Sequence, residues 1–347
     1  MKLKEVVKIK PISTVIDFQS TDKTLIEAYI VLEKTNEYFL SILEGISQKR
    51  DEQTTAIKGS IVTNRVSRCH KIRGTYGVGK SYFLLMLKSM LDSLNDKGMY
   101  EVIKSKFSNF QSIVYQLESL YNQSKKYIIV DINGKDFVQL DFKSIIERQT
   151  YNKLKTELGD DKLEFDNFYE RTAKQLKEWR NDNSPIYKAF IEKLEREVDF
   201  TYEEMLHGLK QRDKEAKEAY EKVYRIIMKE EPKDSFDSLN EFLVESDRVV
   251  RDNGYDGIVV IFDEFSSYLN GRAEVGLLNI DLSSIDILAE NTIPYNGLQL
   301  HFIVSEHEDM KKILERNIGN MEMVNKTAGR FSEYDINFDR GSKLIEN

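Results

Sequence analysis

"RGTYGVGKSYFLLML", from Arg73 to Leu87, joins two patterns that belong to different local structures. Its first half, Gly74-Thr75-Tyr76-Gly77-Val78-Gly79-Lys80-Ser81, matches G-x-x-x-x-G-K-[ST]. Glycines at these positions let the backbone wrap with its N–H groups aimed inward, a concavity suited to phosphate. In that motif Lys80 reaches the β- and γ-phosphates and Ser81 offers its hydroxyl to Mg²⁺. The second half, from Tyr82 to Leu94, reads as a helix whose N-terminus adds partial positive charge where the phosphates lie. The stretch before the loop, Val66 to Gly74, can run as a strand, although it is more polar than most buried strands. Strand, glycine loop and helix follow in the order that the motif requires.

A phosphate loop needs an acidic partner strand. "GIVVIFDEFSSYL", from Gly257 to Leu269, supplies an apolar run that reads as a central parallel strand buried on both faces. It ends in Asp263-Glu264, so Asp263 is the expected Mg²⁺ ligand and Glu264 the base for an attacking water. A third strand, within Leu298–Met310, ends in Ser305-Glu306-His307. Ser305 is the first candidate for contact with the γ-phosphate or its water, and His307 the second. Ser305 with Glu308 also forms an S-x-x-E capping box. A fourth strand is expected around Tyr127–Asp131. A last one alternates Tyr334, Ile336 and Phe338 after a turn containing Arg330. An arginine there can offset transition-state charge at a neighbouring subunit's γ-phosphate. Arg272 is the second candidate for that role.

These elements, in this order, resemble the AAA+ branch of P-loop ATPases. The resemblance runs from Val66 to Phe338. It implies Gly74–Ser81 as Walker A, Ile258–Glu264 as Walker B, Ser305 near a sensor position and Arg330 as the arginine finger. "KIRGTYGVGKSYFLLML", with the earlier "KIKPISTVIDF", looks like the N-terminal ATPase region of large bacterial phage-defence ATPases of the BREX type. That resemblance implies a cytoplasmic protein acting with partners on foreign DNA. AAA+ modules carry a helical lid after the last core strand. Here the chain stops at Asn347, so a module without its lid, or the N-terminal part of a longer protein, is expected.

Four segments are expected: 1–65 as an N-terminal helical and extended region, 66–141 as the first part of the core, 142–253 as a charged helical insertion, and 254–347 as the rest of the core. Helical spacing marks Lys23–Lys49, Tyr100–Tyr121 and Lys214–Glu231. Between Phe142 and Asn253 Asp234 or Ser235 is an expected N-cap and Gly254 a C-cap, and Trp179 is expected in a helical core. A loop followed by a helix is expected over Ser266–Asn291. The expected fold class is therefore α/β: a P-loop three-layer αβα core with a parallel sheet and a helical insertion, AAA+-like without a C-terminal lid.

The net charge of −8 argues against a protein that coats DNA through its overall charge, while leaving room for a local basic face. A single cysteine, Cys69, forms no intrachain disulfide and suits a reducing cytoplasm. No run of apolar residues is long enough to span a membrane, and "MKLKEVVKIK" lacks the apolar core of a secretory signal. Three functions compete. The first is an ATPase motor or switch in a homo-oligomer or hetero-complex, with DNA as a candidate partner. The second is a nucleotide-gated scaffold that binds ATP with little turnover and docks partners through the insertion. The third is a P-loop kinase, which the acidic pair disfavours. The absence of an N-K-x-D motif favours adenine over guanine.

Overall fold

The computed structural model describes residues 17–20, 22–48, 67–159, 168–211, 213–230, 236, 238–293 and 298–336. The chain divides into two units, one formed by Met1–Leu163 with Ser246–Asn347 and the other by Glu164–Glu245.

The first unit is built on five strands: β1 (Cys69–Arg73), β2 (Tyr127–Asn133), β3 (Gly257–Asp263), β4 (Leu300–Glu306) and β5 (Ser332–Asp335). Their order across the sheet is β2-β3-β4-β1-β5, and every neighbouring pair is parallel. The apolar runs of β3 and β4 are buried along their whole length, as strands covered on both faces must be. Alternation sends Val259, Ile261 and Ile303 into one core, shared with Phe83, Leu84 and Leu87 of helix α3 (Lys80–Ser93). Phe262 and Phe302 point the other way. They meet Phe142 of α6 (Phe142–Leu158) and Phe265 of α12 (Phe265–Glu274) with ring centroids 5.1–6.0 Å apart. Helices therefore cover both faces of the sheet.

On the α3 face lie α1 (Lys23–Ala28), α2 (Glu33–Ser47), α4 (Lys97–Lys106) and α5 (Gln111–Asn122). The single helix expected over Lys23–Lys49 is interrupted, because Tyr29 to Leu32 are not helical. Tyr29 packs its ring edge-on against Tyr82 at 4.9 Å instead. Likewise Tyr100–Tyr121 breaks between Phe107 and Phe110, where both rings turn inward.

The polar strand β1 is buried because its neighbours supply partners. Lys71 Nζ lies 2.8 Å from Glu333 of β5, and His70 stacks on Tyr334. On the opposite face α13 (Leu278–Asn291), α14 (Met310–Asn317) and α15 (Met321–Ala328) follow α12. Ser266–Asn291 is thus two helices joined at Gly276 rather than a loop and a helix.

The second unit holds α7 (Phe168–Asn181), α8 (Pro185–Glu197), α9 (Tyr202–Lys210) and α10 (Lys214–Met228). Leu176, Phe190, Leu194, Met205 and Tyr220 form its core, and Trp179 packs against it, as expected. Its charge density resides largely in pairs one helical turn apart, such as Arg196–Glu192 at 2.9 Å. This unit is shorter than the expected insertion. Helix α6 packs on β2, and α11 (Leu239–Asp252) brings the chain back to the sheet-bearing unit, where Asp247 accepts the N–H of Gln299 at 3.2 Å. Gly254, with φ +79°, follows α11 as expected. Val66, Asp234, Ser235 and Phe338 lie outside the described residues. Among the described residues, no helix is long and apolar enough to cross a membrane.

Phe39 of α2 is fully buried, stacked on Phe83 at 4.1 Å and edge-on to Phe107 at 5.6 Å. Phe39→Ala is expected to destabilise the sheet-bearing unit by about 3–5 kcal/mol, read by urea unfolding followed by tyrosine fluorescence. A loss under about 1 kcal/mol means that α2 is not part of the cooperative core.

Candidate functional site

Strand β1 ends at Arg73, and the N–H of Gly74 donates to the carbonyl of Glu306 at 3.2 Å, which pins the start of the loop to β4. Gly77 and Gly79 have φ of +78° and +87°, a region that side chains disfavour, so the loop turns there without strain. Helix α3 then begins at Lys80. Its ammonium folds back into the loop and donates to the carbonyls of Gly74 at 2.8 Å and Thr75 at 3.0 Å. Burial lowers the Lys80 pKa, while Glu264 and Asp263 pull it upward.

Because β4 lies between β1 and β3, the ends of all three strands converge. Asp263, the last residue of β3, is on the same face as Val259 and Ile261 and meets α3. The Ser81 hydroxyl donates to its Oδ2 at 2.7 Å, and the Ser305 hydroxyl donates to its Oδ1. The N–H of Glu264 donates to Asp263 Oδ1 at 2.9 Å and to Ser305 Oγ at 3.1 Å. Ser81, Asp263, Glu264 and Ser305, chosen from three distant segments, are thus one hydrogen-bonded cluster. The expected capping role of Ser305 is not taken up. Ser305 lies inside β4, and Asp309 caps α14 by accepting the N–H of Lys311 at 2.9 Å.

Glu264 adopts φ 55° and ψ 36°, left-handed backbone that is unusual for a non-glycine residue. Its carboxylate meets Lys135 Nζ at 3.0 Å and accepts the Ser267 hydroxyl at 2.8 Å. Burial raises its pKa, but the bonds from Lys135 and Ser267 outweigh it and hold the carboxyl below its ordinary range. His307 Nδ1 lies 3.8 Å from the same carboxylate and 2.7 Å from Ser266 Oγ. The imidazole stacks on Tyr76 at 4.4 Å, with Nε2 3.1 Å from the phenol oxygen. Burial holds the imidazole pKa below its ordinary value.

On the other side of the loop, Val78 and Tyr82 line an apolar cavity of about 250 Å³. Tyr29, Ile30 and Leu32 close it from the N-terminal segment, and Ile336 from the end of β5. Tyr82 donates its hydroxyl to the Leu25 carbonyl.

Two side chains that sequence spacing did not single out belong to this site. Lys135 follows β2 in "DINGK", and Ile30 sits in the break between α1 and α2. The glycine directly after an apolar strand was the available signal for the first.

The two arginines expected at a subunit interface are both engaged within their own unit. Arg330 Nε donates to Asp286 at 2.8 Å and Nη2 to Glu290 at 3.0 Å, tying α15 to α13. Arg272 is buried and donates to Asp281 at 2.6 Å, which removes it as a surface candidate.

Comparison of the chain with protein-family models, with curated proteins and with solved structures finds no match.

Beneath the loop, Glu306 is fully buried at the end of β4 and accepts the Met310 N–H at 2.9 Å. Burial pushes its carboxyl up to about 7, against the pull of Lys71 at 3.9 Å. A pKa raised in the fold means that the protonated form is favoured there. Its contribution is fully present below the unfolded value near 4.5 and is lost as the pH rises through about 7. Glu306→Gln is therefore expected to gain thermal stability relative to the wild type as the pH goes from 4.5 to 8. A difference in melting temperature that stays flat over this range refutes the assignment.

Proposed function

We propose that the chain binds ATP with Mg²⁺ and hydrolyses the nucleotide to ADP and phosphate. The observation that carries this reading is the cluster in which Asp263 accepts both Ser81 of the glycine loop and Ser305 of the intervening strand. The donor set of a serine hydroxyl and a carboxylate suits a hard, oxygen-seeking cation such as Mg²⁺. Ser81 and Asp263 would hold it, and when bound it would supply positive charge that offsets the charge of the phosphates. The backbone N–H groups of Gly77–Ser81 and the ammonium of Lys80 would take the phosphates. The apolar cavity between Tyr82, Ile30 and Ile336 accepts the base.

Glu264 is the group placed to take a proton from water. The water oxygen bonds to the γ-phosphorus as the bond to the bridging β-oxygen breaks, and ADP departs with that electron pair. Ser305, hydrogen-bonded to Asp263 and to the Glu264 backbone, fixes the geometry of the acidic turn. The order of motifs supports an AAA+-like module. The likeness to phage-defence ATPases extends the proposal to a cytoplasmic, DNA-associated complex.

The test is binding of a fluorescent ATP analogue with Mg²⁺, together with phosphate release, over a series of protein concentrations. Lys80→Ala is expected to weaken binding at least about tenfold. Glu264→Gln is expected to bind normally and to lose about 10²–10⁴-fold in turnover. A wild-type protein that binds no ATP ends the proposal. One that binds but never turns over favours the nucleotide-gated scaffold.

A further inference from the structure

The ATPase reading raises the question of which cation offsets charge developing on the γ-phosphate, and the inference here rests on that reading. Arg330 and Arg272, the arginines expected there, are each held by carboxylates of their own unit. Two ammonium groups stand beside the glycine loop instead. Lys80 Nζ lies 5.7 Å and Lys135 Nζ 5.9 Å from the ring centroid of Tyr76, a residue of the loop itself.

Lys135 is placed by a built feature. Strands β2 and β3 pair in register up to Asn133 with Asp263. The Asn133 side chain then accepts the N–H of Lys135 at 3.3 Å and caps the short 3₁₀ turn Gly134–Phe137. Gly134 is pressed against the acidic turn. A β-carbon there would lie 2.7 Å from the Glu264 carbonyl oxygen and 2.8 Å from the Phe262 ring. Only glycine permits this approach, and the approach delivers the next side chain to the Glu264 carboxylate at 3.0 Å. Two like charges converging on one loop disfavour each other unless an anion joins them. At present Glu264 and Asp263 supply that charge; Lys135 in turn helps to lower the Lys80 pKa, after burial as the main cause.

We propose that Lys135 is a second phosphate-binding cation, supplied in cis, whose ammonium passes from Glu264 to the γ-phosphate when ATP binds. The terminal phosphate carries more negative charge than a carboxylate and draws the ammonium more strongly. The exchange has two effects. It sets a positive charge against the oxygens on which charge develops, and it releases Glu264 to accept the proton of the attacking water. Lys135 itself neither gives nor takes a proton.

The experiment compares wild type, Lys135→Met and Lys135→Arg in three measurements. These are affinity for the fluorescent ATP analogue, single-turnover hydrolysis, and retention of ADP with aluminium fluoride, a mimic of the transferring phosphoryl group. Lys135→Met is expected to weaken ATP affinity about two- to fivefold, the net gain of exchanging the half-exposed Glu264 pair for phosphate, to lose about 10²–10³-fold in rate and to fail to retain the mimic, because the contact strengthens as charge develops in the transition state. Lys135→Arg is expected to recover most of the rate and the mimic.

Wild-type or faster hydrolysis by Lys135→Met overturns the proposal, because Lys135 then only restrains Glu264. Retention of the mimic by Lys135→Met overturns it as well. Both of these outcomes leave the ATPase reading intact. A wild-type protein without ATP affinity removes that reading and this one together.

Discussion

The carboxylate of Asp263 is the group on which the surrounding geometry depends. It is almost fully buried, and an ionised carboxylate in that position is tolerated only if its oxygens are hydrogen-bonded. Its donors come from three places: Ser81 at the start of α3, Ser305 at the end of β4, and the backbone of Glu264. The requirement to satisfy one charge therefore fixes where the glycine loop ends, how deep β4 runs and where β3 turns. The strand order makes this possible by placing β4 between the two strands that carry the loop and the acids.

Much of this was legible because burial on both faces leaves a plain mark. The run Ile258–Phe262 read as a central strand and the apolar part of β4 as a strand, and both lie fully buried in the sheet. The loop glycines and the helix after them were equally readable, since each needs a particular residue type for a local reason. What was not legible came from partners remote in sequence. His70 and Lys71 are polar yet buried, because Tyr334 and Glu333 reach them from β5, more than two hundred residues on. Arg330 reads as an arginine for a neighbouring subunit's phosphate, and its ties to Asp286 and Glu290 appear only once α13 packs on α15. Ser305 matched a capping pattern, but the strand ran two residues longer than its apolar run, and the cap passed to Asp309. Spacing alone did not separate α6 from the charged helices after it, because its partner is β2.

The loop separates two chemically distinct sides. One side is apolar, closed by Ile30, Tyr82 and Ile336, and contains no charged side chain. The other gathers Lys80, Lys135, Glu264 and His307 within reach of Tyr76. A ligand with an aromatic end and an anionic end fits this division, whereas one that is charged throughout would leave the apolar side uncompensated. This asymmetry supports a nucleotide over a simple polyphosphate as the ligand of the proposed site.

Glu264 shows how the fold meets a conflict between strand geometry and chemistry. Side chains alternate along β3, so a further extended residue would send its carboxylate to the face of Phe262. There it would lie among Phe142, Phe265 and Tyr268, where an ionised group has no donors and pays the full cost of desolvation. The left-handed turn at Glu264 costs about 1–2 kcal/mol, less than burying that charge. It carries the carboxylate to Lys135, Ser267 and His307 instead. The turn is held by its own N–H, which donates to both Asp263 and Ser305, and by Gly134 pressed against its carbonyl. The strained residue is therefore the one whose side chain must leave the sheet's alternation, and the contacts that hold the strain are those of the proposed site.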